Sequence, residues 1–198
     1  MEISRWLMSN YIEVFGAVTG IVYVLLEIRQ NIWLWPLGII TSAVYIWVFF
    51  VNKFYADMSL QCYYLIISVL GWYWWTRKSM KDADEDQRSL YVSRIKLRTG
   101  ILVFSVFILL YFLIWFVLQR FTDSPVPEWD SFITSLSIVA TWMLARKIYE
   151  HWYLWIVVNS ASALIFFTRE LYPTMILYFV YGVMSLVGMR EWKKTIRT

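Results

Sequence analysis

Residues 100–118 read GILVFSVFILLYFLIWFVL, nineteen consecutive positions without a charge. A helix rises about 1.5 Å per residue and the hydrocarbon core of a bilayer is about 30 Å thick, so roughly 20 such residues make one crossing. A surface helix of a soluble domain keeps a polar face for water, and this stretch has none. It predicts a membrane-crossing helix.

Six further apolar runs flank it: Tyr11 to Ile28, Ile32 to Val51, Asp57 to Trp75, Ser131 to Ala145, Trp152 to Thr168 and Tyr172 to Arg190. The 198-residue chain is 60% hydrophobic and 20% aromatic, more apolar than a soluble core of this size requires. The expected fold is an all-α polytopic membrane protein of seven transmembrane helices. The first helix is expected to act as its own insertion signal, since no cleavable leader pattern precedes it.

The net charge of +4 does not indicate nucleic acid, because the bases sit in short loops and form no stripe. Arg29, the segment between helices three and four (Arg77, Lys78, Lys81, Arg88, Arg94, Lys96, Arg98), Arg146 with Lys147, and the tail bases Arg190, Lys193, Lys194 and Arg197 fall on one side. Only Arg5, Lys53, Arg120 and Arg169 fall on the other. Bases are retained in the cytoplasm, so the N-terminus is expected outside and the C-terminus inside. Between helices three and four, Asp82, Asp84, Glu85 and Asp86 mark a solvated loop.

A shift of 117 residues, without gaps, pairs Phe15 with Phe132, Arg29 with Arg146, Trp35 with Trp152, Tyr55 with Tyr172, Tyr64 with Tyr181, Ser68 with Ser185, Gly71 with Gly188 and Trp75 with Trp192. One aromatic match is weak in so aromatic a chain; a constant register across three helices is a repeat. Three is odd, so two directly joined units would face opposite ways, and helix four restores a parallel arrangement. The expected organisation is 1–76 for the first three-helix repeat, 77–98 for a cytoplasmic loop, 99–127 for the linker helix and an outer loop, and 128–198 for the second repeat with its tail. Parallel repeats of this 3+1+3 kind, with a site near the midplane, are a transporter architecture.

Candidate substrate-binding residues are the polar and aromatic positions inside the runs. Trp155 and Asn159 are four apart and share a helix face; an amide within a membrane needs a partner, either a neighbouring helix or a solute. Gln61, Tyr64 and Ser68 climb one face of helix three, and Tyr178, Tyr181 and Ser185 repeat the pattern in helix seven. Thr134 and Ser137 of helix five and Thr41 of helix two add hydroxyls, each of which has an ordinary use in bonding its own backbone. Trp35 and Trp152 stand at helix starts, where indoles also serve as interface anchors. Pro36 is either a bend or a first-turn proline.

No ionisable residue falls in the middle of a run: Glu13, Glu27, Asp57 and Asp130 sit near helix ends and His151 lies in the polar loop between helices five and six, which favours passive movement over ion coupling. No Ser-His pair, carboxylate pair or ligand cluster can be assembled around His151 and Cys62, so an enzyme, a metal and a cofactor are not expected.

The stretches NIWLWPLGI (31–39), FYADMSLQ (54–61), GWYWW (71–75) and WYLWIVVN (152–159) resemble the PnuC family of bacterial vitamin transporters, similar in plan to SWEET sugar carriers, over nearly the whole chain. The resemblance implies facilitated-diffusion uptake across the inner membrane of a cationic vitamin B precursor, foremost nicotinamide riboside, with phosphorylation by a cytoplasmic kinase trapping it; thiamine is the alternative. It implies that Trp152, Trp155, Asn159 and Gln61 contact substrate, and it suggests a homotrimer. In the family's riboside carriers a basic residue follows the first tryptophan of W-x-x-W; Tyr153 stands there in this chain, which keeps thiamine open. A sensory or scaffold membrane protein is the remoter reading.

Overall fold

The computed structural model describes residues 11–53, 55–81, 91–122 and 124–196. Seven helices are found among the described residues, one for each apolar run: α1 (Tyr11–Ile28), α2 (Leu34–Val51), α3 (Tyr55–Lys81), α4 (Leu97–Phe121), α5 (Pro127–Ala145), α6 (His151–Thr168) and α7 (Tyr172–Lys193). By length and composition α2, α4, α6 and α7 are each sufficient to cross a membrane. The acidic part of the loop between α3 and α4, at 82–90, lies outside the described residues, as does Arg5.

Boundaries moved where local chemistry outlasts the apolar run. α3 continues past Trp75 to Lys81 because the following segment holds helix formers and neither Gly nor Pro. α5 starts four residues before Ser131, at Pro127, where the fixed φ of proline suits the first helical position. Glu128 and Asp130 in its first turn oppose the positive end of the helix dipole.

The chain divides into two compact units, 1–72 and 73–198, with the division inside α3. In the first, α1 packs on α2, and α2 meets α3 where Trp35, fully buried, fills the space in front of Gly71: a Cβ there would lie 2.6 Å from Trp35 Cη2. In the second, α4 packs on α5, α5 on α6 and α6 on α7. α5 is its centre, burying Ser131, Ser135, Leu136, Ser137, Val139, Ala140, Thr141, Met143, Leu144 and Ala145; the Ser, Thr and Ala among them are small residues that permit close helix approach. By contrast α4 buries no residue fully; Val103, Phe107 and Leu110 are partly covered against Val139, Met143 and Ile148, and the rest is an apolar surface suited to lipid.

Local structure recurs at the 117-residue shift. α2 and α6 have corresponding first and last residues. The four described non-glycine residues with positive φ form two corresponding pairs, Gln30 (52°) with Lys147 (51°) and Lys53 (63°) with Glu170 (59°). The turns they make are hydrogen-bonded alike: Gln30 N donates to Glu27 O at 2.9 Å and Lys147 N to Leu144 O at 2.8 Å, while Asn31 N donates to Leu26 O at 2.8 Å and Ile148 N to Met143 O at 2.9 Å.

In the second unit the turn between α5 and α6 is fastened by the segment before α4. Ser93 N donates to Lys147 O (3.0 Å), Tyr149 N donates to Ser93 O (2.9 Å), Ile95 N donates to Glu150 Oε2 (2.9 Å), and Val92 bridges to Ile196. His151, expected in a polar loop, is instead fully buried, with its ring 4.6 Å from Trp192 and 4.7 Å from Trp152. Its Nδ1 lies 2.6 Å from Ile148 O, a hydrogen bond to the backbone of the preceding turn.

Candidate substrate-binding site

In the second unit α6 positions Trp152, Trp155 and Asn159. Trp152 is fully buried and its ring takes the space in front of Gly188, the counterpart of Trp35 over Gly71. Its ring centroid is 5.7 Å from that of Trp192. Asn159, buried, donates from Nδ2 to Ser185 Oγ at 3.2 Å, and Ser185 Oγ donates to Tyr181 O at 2.8 Å. The amide thus links α6 to α7.

Trp155 differs. Its indole nitrogen is buried, and neither it nor that of Trp152 has a hydrogen-bond partner among the described residues. A buried unpaired donor costs about 1–3 kcal/mol, so an acceptor supplied by a solute would relieve it. On α7, Tyr178 stacks on Phe166 at 5.3 Å and meets Tyr181 edge-on at 5.9 Å. Of the α5 hydroxyls, Ser137 Oγ donates to Ile133 O (2.7 Å) and Thr141 Oγ1 to Ser137 O (2.8 Å), leaving only their lone pairs for a ligand. Thr134 is half-buried.

In the first unit Thr41 Oγ1 likewise donates to Leu37 O, at 2.8 Å. Gln61 and Tyr64 are half-buried on α3, two turns and one turn before buried Ser68. Trp35 lies at the start of α2, sealed against Gly71. Pro36 falls in the first turn of α2, the position where proline removes no helical bond.

The sequence reading missed Tyr23 and the burial of Glu27. A Cβ at Gly38 would lie 2.8 Å from Ser68 Oγ and 3.2 Å from Tyr23 Cε2, so the missing side chain lets α1 and α3 close over α2. Glu27, one turn beyond Tyr23 and read as a helix-end residue, is only 2% exposed. The 117 shift held a signal, since Tyr23 and Glu27 correspond to Ala140 and Leu144.

Long apolar helices that turn polar and aromatic groups inward define the class: a multi-pass membrane transporter, with no grouping of His, Cys, Asp or Glu among the described residues that could hold a metal. The chain belongs to the nicotinamide mononucleotide transporter family, whose model matches residues 10–194. It is 26% identical to the nicotinamide riboside transporter PnuC of Escherichia coli, over 95% of this chain and 87% of that protein. It is 24% identical to the riboflavin/roseoflavin transporter RibM of Streptomyces davaonensis, over 91% of this chain and 83% of that protein. A crystal structure of the vitamin B3 transporter PnuC shares the fold, with a TM-score of 0.74 at 22% identity, covering 98% of this chain and 85% of that one. The family is one of transporters, so the chain is not an enzyme.

Proposed function

We propose that this protein takes up nicotinamide riboside by facilitated diffusion, and that the buried, unpartnered indole N–H of Trp155, one turn from Asn159, receives an acceptor of the solute. Family membership and similarity to the PnuC of Escherichia coli support that cargo. Trp152, Gln61, Tyr64, Trp35, Thr41, Thr134, Ser137, Tyr178 and Tyr181 complete the proposed lining, in a 3+1+3 arrangement with α4 as linker. The N-terminus faces outward and the C-terminus the cytoplasm, where a kinase phosphorylates the solute and traps it; the assembly is a homotrimer.

Thiamine is the second reading, favoured by Tyr153 in the place of a basic residue. That ring is half exposed and meets Tyr149 edge-on at 5.8 Å, so it offers an aromatic surface rather than a charge. Calorimetric titration of purified protein with nicotinamide riboside, thiamine and riboflavin separates the cargoes; binding of none overturns the proposal. Flux into liposomes separates transport from a scaffold role, which gives no flux.

A further inference from the structure

Between α4 and the first two turns of α5 lies an apolar cavity of about 580 Å³, within the range of roughly 300–1,000 Å³ typical of ligand sites. Phe107, Ile108 and Tyr111 of α4 and Glu128, Trp129 and Phe132 of α5 line it. The rings brace one another edge to face: Phe107 meets Phe132 at 5.9 Å, and Phe132 meets Trp129 at 6.2 Å. α4 buries no residue fully, so the cavity opens on the surface that lipid covers. Glu128 and Trp129 are exposed and stand at its mouth, in the first turn of α5. Phe107 is fourteen residues before the end of α4, about 21 Å along the helix. The cavity therefore reaches from the level where α5 begins to near the middle of α4.

Its polar groups are unspent. The Glu128 carboxylate, the Trp129 indole N–H and the Tyr111 hydroxyl have no hydrogen-bond or ion-pair partner among the described residues. Asp130, in the same turn as Glu128, is by contrast occupied, accepting from Ser124 Oγ at 2.5 Å. No lysine or arginine lines the cavity, and α4 carries no charge between Arg98 and Arg120. An apolar cleft with one free acid and an indole at its mouth complements an amphiphile that joins a hydrocarbon chain to a protonated amine. The chain fills the cleft, and the ammonium meets both the carboxylate and the negative face of a ring. An anionic head group would bring like charge to Glu128. A second copy of the chain on this face would take Glu128 out of water, which is costly without a paired base. A lipid leaves the carboxylate hydrated at head-group level.

We propose that the α4–α5 cavity is a binding site for an aminophospholipid of the bilayer, one acyl chain lying against Phe107, Ile108 and Phe132 and the head-group ammonium pairing with Glu128. The site is independent of which solute is carried. The test is native mass spectrometry of delipidated, detergent-purified protein titrated with dioctanoyl phosphatidylethanolamine and dioctanoyl phosphatidylglycerol, which share chains and phosphate and differ in the amine. Parent protein is expected to hold the ethanolamine lipid about fivefold more tightly. Glu128→Gln should lose that preference. Ile108→Trp, which fills the cavity and keeps the acid, should weaken retention of the ethanolamine lipid by about fivefold as well, with helicity by circular dichroism unchanged in both variants. Equal retention of the two lipids by the parent, or a preference that survives Glu128→Gln, overturns the pairing with the amine. Unchanged retention in folded Ile108→Trp overturns the cavity as the site. If that variant instead falls apart into fewer subunits while lipid retention holds, the face belongs to a second copy and the lipid assignment is overturned.

Discussion

The indole of Trp152 occupies the volume that a side chain at residue 188 would need, and the same relationship holds between Trp35 and Gly71. A tryptophan from the first turn of one helix meets a glycine in the second half of the next, once in each compact unit. Gly188→Ala and Gly71→Ala should each destabilise the protein by about 1–3 kcal/mol through overpacking, read as a lower apparent melting temperature in detergent. Adding Trp152→Phe to Gly188→Ala should recover most of the loss. If the alanine variants melt like the parent, the rings are not wedged as described.

Such pairing explains what could be read in advance. Helix ends at Ile28, Val51 and Ala145 coincide with the end of apolar runs, where the chain leaves hydrocarbon. The correspondence of Trp35 over Gly71 with Trp152 over Gly188 was legible because those positions keep one register. The turns were not, since Gln30, Lys53, Lys147 and Glu170 adopt positive φ without the glycine that usually announces it. His151 was misread because what buries it is Trp192, 41 residues along the chain. Glu27 was passed over because a last-turn acid ordinarily faces water. Of the candidate site, residue types and helix faces were legible; hydroxyls already donating to their own backbone, as in Thr41 and Ser137, were not.

Lys147 gives a pH dependence. It sits in the turn between α5 and α6, buried, with Nζ 4.3 Å from the centre of the Trp75 ring, whose own Nε1 donates to Ala145 O at 3.1 Å. Burial lowers its pKa to about 8, against roughly 10.4 in an unfolded chain. Between those values the unfolded chain binds the extra proton, so stability attributable to this amine rises with pH across that window and is lowest below pH about 8. Lys147→Met has no such titration. The parent's apparent melting temperature should therefore gain on that of Lys147→Met from pH 8 to 10; a constant difference would mean that the amine is solvated.

Binding should separate the two members of the α6 face. Trp155→Phe keeps a ring and loses only the N–H, so it should weaken solute binding by about tenfold if that donor meets the solute, with little change in melting temperature. Asn159→Ala also removes the link to Ser185 Oγ, so it should reduce stability by about 1 kcal/mol as well as affinity. Titration calorimetry and thermal melts on the same samples check both. Should Trp155→Phe bind like the parent, the unpartnered indole is not a solute contact.

The last expectation concerns energy coupling, and the burial of Glu27 sharpens it. A buried carboxylate could carry a proton through each transport cycle, as acids within membranes do in pumps. The facilitated diffusion proposed above uses no such step. Exchange of labelled nicotinamide riboside across liposomes should continue at an unchanged rate when proton and sodium gradients are collapsed, and an imposed inward proton gradient should not concentrate the solute. Accumulation driven by that gradient and abolished in Glu27→Gln would make the carboxylate a proton carrier and overturn passive movement.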